Sequence, residues 1–308
     1  MNIGICLCNT IDAFSVNSEK FKPLQEYFPT HIFSEIEDVE ALETCVSTFD
    51  LLITWVFKKE WYQRTPRLKA IFTPAAGSEW IEHDPGYSIP VFHGTFHGPL
   101  MAETLCAMIL FFNKQFSNAI VNQKHHQWNR NIYSTGKRLA AQTILFYGYG
   151  SIARCCASML KKFGCTILAV KRSEPDLILD SDADQIIPPV QCQPFLGRAD
   201  HIVSILPALE STTDIFNGQF FQYTNPNAYF YNLGRGNCCD EAALLWALDN
   251  NKISGAALDV FKTEPLPEDS ALWTHPGVLI YPHASAINSD YISFYIAELK
   301  KTLSPYLL

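Results

Sequence analysis

The chain has 308 residues, more than one typical domain, and a hydrophobic content of 48% that supplies ample core. Its net charge of −8 argues against a surface for nucleic acid or anionic membrane, but leaves room for a local cationic site that binds a small anion. The longest strongly apolar run, "LCAMILFF" at 105–112, is too short to span a bilayer.

The N-terminal "MNIGICLC" has no basic stretch and reads as a first strand, so a cytoplasmic protein is expected. Most of the ten cysteines lie in apolar stretches. Cys6-x-Cys8 and the vicinal pairs Cys155-Cys156 and Cys238-Cys239 raise a metal or redox reading. No C-x₂-C pair recurs, however, so these read as small apolar residues of a reduced protein without a metal site. Further strands are expected at 50–56, 68–75 and 89–94. His93 and His97 have i, i+4 spacing, but Gly94 between them marks a strand-to-helix loop rather than a metal-binding helix face.

Residues 99–120 read as one long helix with Pro99 in its first turn. Its apolar surface is too wide for a single stripe, which suits a central core helix or one that also packs on a partner subunit. Six more strand-like runs follow, at 142–148, 165–170, 199–206, 228–234, 254–260 and 277–283. Near-continuous apolar strands alternating with helices predict an α/β protein with parallel sheets covered on both faces.

The stretch "TILFYGYGSIARCCASMLKKFGCTILAV" contains strand, glycine turn, helix and strand in the order of a dinucleotide-binding unit. Gly148 permits a tight turn, Gly150 lets the backbone approach a pyrophosphate, and Ala153 keeps helix and strand close. Gly148, Tyr149, Gly150, Ser151 and Ile152 form the candidate cradle, with free N–H groups at the helix start. An NAD site usually places an acid at the end of the second strand, about twenty residues on. Here that strand ends in Lys171-Arg172-Ser173. A guanidinium fork and a hydroxyl suit a 2′-phosphate, so NADPH is the expected cofactor, with NADH the lesser option. The alternative is that Lys171 and Arg172 are merely solvated.

The segment 232–286 contains "NLGRG", "DVFKTEPLP" and "YPH" in that order. With these motifs the sequence resembles the D-isomer-specific 2-hydroxyacid dehydrogenase family, and most closely its bacterial A-type glyoxylate/hydroxypyruvate reductases. The resemblance implies two Rossmann-like α/β domains. A flavodoxin-like substrate domain would comprise 1–98 and 285–308, and an inserted dinucleotide-binding domain would comprise 99–284. It assigns the catalytic trio to Arg235, Glu264 and His283. It also places Asp259 near the nicotinamide, although capping a strand-end turn is an alternative, and gives Leu206-Pro207 to the loop over the cofactor. The backbone amides of Ala76 and Gly77 would receive the substrate carboxylate. Trp55 falls on a second substrate loop, where core packing competes, and Trp80 is read as structural. A homodimer through the long helix and the segment with Trp128 is implied, with no regulatory domain after the last helix.

The trio also makes chemical sense by residue type. Reduction of a keto acid needs a cation for the carboxylate and the forming alkoxide, which Arg235 supplies. It needs a proton donor, His283, and Glu264 beside it would favour the imidazolium. The expected activity is therefore NADPH-dependent reduction of small 2-keto acids, glyoxylate or hydroxypyruvate. Two other readings stay open: a dinucleotide-sensing co-regulator, and a reductase of a bulkier acid such as phenylpyruvate. "HASA" after the histidine, the loosely matching first 45 residues and "FHGTFHG" at 92–98 depart from the family pattern.

Overall fold

The computed structural model describes residues 1–9, 11, 13–14, 18–133, 138–172 and 182–308. The chain divides into two compact units, Met1–His97 with Ala286–Leu308, and Gly98–Ser285.

The first unit carries β1 (Asn2–Cys6), α1 (Ser18–Tyr27), β2 (Ile32–Glu35), α2 (Val39–Cys45), β3 (Leu51–Thr54), β4 (Ala70–Thr73) and β5 (Val91–His93). All neighbours pair in parallel in the order β2-β1-β3-β4-β5. β3 "LLIT" and β4 "AIFT" are buried at every position, as strands covered on both faces must be. This order reverses between β1 and β3, and Trp55 directly follows β3 at that crevice, where open α/β sheets place ligands.

Next come α3 (His97–Asn113), α4 (Phe116–Lys124), β6 (Thr143–Tyr147), α5 (Ser151–Lys161), β7 (Thr166–Val170), β8 (Gln185–Ile187) and α6 (Gln193–Leu196). They are followed by β9 (His201–Ser204), α7 (Gly218–Gln222), β10 (Tyr229–Asn232), α8 (Glu241–Asp249), β11 (Gly255–Leu258) and β12 (Val278–Ile280). The chain then returns to the first unit with α9 (Tyr291–Leu307). The seven strands described in the second unit are all parallel, in the order β12-β11-β10-β9-β6-β7-β8, with the topological switch between β6 and β9. α5 buries Ala153, Cys156, Ala157 and Leu160, one stripe at helical spacing.

The helix expected over 99–120 is in fact two. α3 is buried on all but the face of Pro99, Glu103 and Ala107, whereas α4 buries no residue. Gln115 between them adopts the left-handed region with φ 54°, and its side-chain amide donates to the Phe112 carbonyl. Asn113 exchanges two hydrogen bonds with Gln142, at 2.6 and 3.1 Å, pinning the end of α3 to the start of β6. The polar run Asn113-Lys114-Gln115 therefore ends the helix rather than facing solvent from its middle. No helix among the described residues is long and apolar enough to cross a membrane.

Candidate active site

The turn after β6 is built from backbone. Gly148 has φ 84°, and a Cβ there would lie 2.6 Å from the Ile205 carbonyl oxygen. Only glycine combines that backbone with that approach. Two residues on, a Cβ on Gly150 would meet no atom within 4 Å. Gly150 is the N-cap of α5, and no side chain caps the first-turn N–H groups. Tyr149 is buried, Ile152 half-buried and Ser151 exposed. This arrangement fits a dinucleotide pyrophosphate, which needs close backbone approach and helix N–H donors.

β7 leads directly to Lys171, whose N–H donates to the Ile187 carbonyl at 3.1 Å, and to Arg172, which is exposed. Ser173 lies outside the described residues. On the other side of the turn, a Cβ on Gly234 would sit 2.5 Å from the Leu206 carbonyl oxygen. The Leu206-Pro207 loop is thereby pressed between the glycines that follow β6 and β10. Pro207 is exposed, and its carbonyl accepts from Thr212 Oγ1 at 2.7 Å.

Arg235 follows β10. Asn232 braces its loop: Asn232 Nδ2 donates to the Arg235 carbonyl at 3.1 Å, and Asn232 Oδ1 accepts from the Gly234 N–H at 3.3 Å. Arg235 is half-buried, and its Nη1 donates to the Gly234 carbonyl at 2.9 Å. A Cβ on Gly236 would lie 1.9 Å from the Phe261 carbonyl oxygen, so the arginine loop lies directly against the loop that carries Glu264.

Glu264 Oε1 accepts from the Phe261 N–H at 2.9 Å, and Glu264 Oε2 sits 2.7 Å from His283 Nδ1. The hydrogen bond to Glu264 raises the His283 pKa, burial opposes it, and the Glu264 and Asp259 charges add to the rise. Burial pushes Glu264 up, but the bonds from His283 and the Phe261 amide, with the His283 and Arg235 charges, hold it below the ordinary carboxylate value. The two shifts favour the charged forms of both partners, with Nδ1 engaged by Glu264. His283 has φ 50°, and its N–H donates to the Asp259 carbonyl at 2.7 Å. His283 thus holds a sparsely populated backbone conformation.

Asp259 is 1% exposed, and its carboxylate is taken up by the turn after His283. Oδ1 accepts from the Ala284 and Ser285 N–H groups at 2.7 and 3.1 Å, and Oδ2 accepts from Ser285 Oγ. Burial raises its pKa against those bonds. The side chain of Asp259 thus holds the turn after His283, on the neighbouring loop.

In the first unit, Ala76 is exposed and Gly77 half-exposed on the loop after β4, and among the described residues their N–H groups donate to no carbonyl. Trp55 is half-buried against Phe14, with ring centroids 5.3 Å apart, and Tyr291, 6.3 Å apart and 23° from parallel. Trp80 is 56% exposed. Burial pushes the Cys6 thiol up to about 12, with Cys8 adding to it, and likewise raises Cys156, Cys238 and Cys239. Sequence reasoning missed Asn232, which the "NLGRG" motif contains, and Ser285. It also missed Tyr291, for which no sequence signal exists.

The chain is similar to known proteins. The family model described as "D-isomer specific 2-hydroxyacid dehydrogenase, NAD binding domain" matches residues 106–285. Glyoxylate/hydroxypyruvate reductase A of Salmonella paratyphi B is 31% identical over 255 residues, covering 76% of this chain and 78% of the relative. Among solved structures, a D-isomer specific 2-hydroxyacid dehydrogenase family protein from Aeromonas salmonicida is 27% identical with a TM-score of 0.80, covering 99% of this chain and 96% of its own. The fold is also that of the NADPH-dependent glyoxylate/hydroxypyruvate reductase of Sinorhizobium meliloti, 24% identical, with a TM-score of 0.81 and coverage of 99% and 94%.

Proposed function

Since the chain belongs to the D-isomer-specific 2-hydroxyacid dehydrogenase family, we propose that it reduces small 2-keto acids with NADPH, glyoxylate and hydroxypyruvate first among them. The observation that carries the reading is the 2.7 Å pair between His283 Nδ1 and Glu264, with the imidazole pKa raised.

The glycine turn 148–150 and the start of α5 would hold the pyrophosphate, and Lys171 with Arg172 would receive the 2′-phosphate. When bound, NADPH supplies the hydride for the carbonyl carbon. Arg235 binds the keto acid's carboxylate and stabilises negative charge as it grows on the carbonyl oxygen. The amides of Ala76 and Gly77 would be further donors to an acid's carboxylate. His283, held protonated by Glu264, gives its Nε2 proton to the oxygen, and in the reverse direction neutral His283 accepts it from the hydroxyl. Asp259 and Ser285 fix the turn that presents the ring. The first unit is accordingly the substrate domain and the second the cofactor domain.

A homodimer through the second unit belongs to the same proposal. α4 and the residues after it expose Phe116, Ile120 and Val121, and Trp128 is 92% exposed. Such an apolar face suits a partner copy.

The test is nicotinamide absorbance with glyoxylate and hydroxypyruvate, using NADPH and NADH in parallel, beside the Arg172→Asp variant. Turnover with NADPH, shifted toward NADH in the variant, is the expected result. Absence of turnover with either acid and either cofactor would refute the substrate reading.

A further inference from the structure

The mechanism leaves a buried polar pair in the first unit unused. Tyr291, the first residue of α9, is 2% exposed, and His97, the first residue of α3, is 5% exposed. His97 Nε2 lies 3.0 Å from the Tyr291 hydroxyl, which itself donates to the Pro74 carbonyl at 3.4 Å. With the tyrosine proton directed at Pro74, the bond from His97 requires Nε2 to carry a proton. Pro74 opens the loop that contains Ala76 and Gly77.

The same carbonyl is confined from its other side. A Cβ on Gly94 would lie 2.3 Å from the Pro74 oxygen, and the Gly94 N–H donates to the Ala75 carbonyl at 3.1 Å. Ala75 N–H in turn donates to Thr73 Oγ1 at 3.3 Å. The Tyr291 ring is locked among Phe14, Phe96 and Trp55, with centroids 4.5, 4.8 and 6.3 Å away. Burial keeps its hydroxyl protonated well beyond the usual phenol range, so it remains a donor. Two residues earlier in the chain than His97, the Thr95 N–H and Oγ1 both bond the Glu298 carboxylate, which ties the entry to α3 onto α9.

We propose that Tyr291 is a positioning residue for the substrate loop. Its hydroxyl, oriented by His97, holds the Pro74 carbonyl against Gly94 and so sets the direction of the Ala76 and Gly77 amides. This rests on the reading of those amides as donors to the keto acid's carboxylate. A carbonyl fixed from two sides leaves the next peptides little freedom, and donors aimed in advance bind an anion without reorganisation.

Tyr291→Phe removes the hydroxyl and keeps the ring stacked on Trp55. The expected result is a KM for glyoxylate raised about five- to tenfold, the effect of one neutral hydrogen bond, with kcat, the KM for NADPH and the Tm little changed. Amide hydrogen exchange, which needs no turnover, should speed up in peptides spanning 74–80 and not elsewhere in the first unit. Gly94→Ala pushes the same carbonyl from the opposite side and should give the same KM-against-kcat split. Unchanged KM and unchanged exchange in Tyr291→Phe would overturn the proposal. So would a fall in Tm with both KM values rising together, which marks a packing role. Faster exchange at 74–80 in a protein whose wild type turns over no keto acid would support the anchor and overturn the substrate reading alone.

Discussion

The glycine turn after β6 and the trio Arg235, Glu264 and His283 occupy the same C-terminal edge of one parallel sheet, yet they are built in different ways. The turn is contained in a few consecutive residues. Its functional atoms are backbone N–H groups, aimed because Gly148 can reach φ 84° and because α5 begins directly afterwards. The trio comes from three loops, after β10, β11 and β12, and becomes a site only because those strands lie side by side. Its functional atoms are side chains whose charge states depend on one another: Glu264 raises the imidazole value, and His283 and Arg235 help lower that of Glu264. A local motif tolerates no change in its own backbone. An assembled one fails by losing a partner.

The largest effect should come from His283→Ala, which removes the proton donor and should lower kcat about 10²–10⁴-fold while leaving NADPH binding by fluorescence intact. Unchanged kcat would remove the trio from the comparison. At the turn, two glycines should separate folding from binding. Gly148→Ala costs about 1–2 kcal/mol for its left-handed backbone alone, before the clash with Ile205, and should lower the Tm. Gly150→Ala meets no protein atom, so it should keep the Tm and weaken NADPH binding. Equal loss of Tm in both variants would contradict a cradle open at Gly150.

The electrostatic coupling can be sharpened by pH. His283 has its pKa raised, so the stability of its pair is present below the unfolded imidazole value and is lost as pH rises through the raised folded value. Glu264 has its pKa lowered, so its contribution is present above the ordinary carboxylate value and is lost as pH falls through the lowered one. Keto acid reduction should therefore decline with one titration on the alkaline side. Glu264→Gln should move that limb to lower pH and reduce kcat about tenfold at neutral pH, the weight of one charged hydrogen bond. A limb that stays in place would separate Glu264 from the histidine. The smallest effect is expected at Lys262–Asp214, a 2.6 Å ion pair beside the same loops with side chains 38% and 44% exposed. Screened by solvent, it should contribute at most about 0.5 kcal/mol, so Lys262→Met should leave the Tm within about 2 °C.

Periodicity showed where strands would form when they were apolar on both faces. It failed at β2 "IFSE" and β8 "QII", the outer strands on one side of each sheet, where polar residues and short length hide the pattern. It also merged α3 and α4, because helical spacing continues through Asn113 to Gln115 while the Asn113–Gln142 pair that marks the break joins residues far apart in sequence. The motifs singled out Glu264 and His283, which the structure brings together, but the buried commitment of Asp259 to the Ala284–Ser285 turn was not legible in them.

By itself, then, the sequence determined the parallel α/β class, the glycine turn with a cation where an acid usually stands, and the residue types of the trio. These follow from local backbone preference and from side-chain chemistry, which each residue carries wherever it is placed. Tertiary structure alone decided that His283 meets Glu264 at 2.7 Å, that Gly236 lets the arginine loop lie on Phe261, and that Tyr291 reaches Pro74 across 217 positions of chain. Those contacts depend on which strands become neighbours and how closely backbones approach, and such distances are set by packing of the whole unit rather than by any short stretch within it.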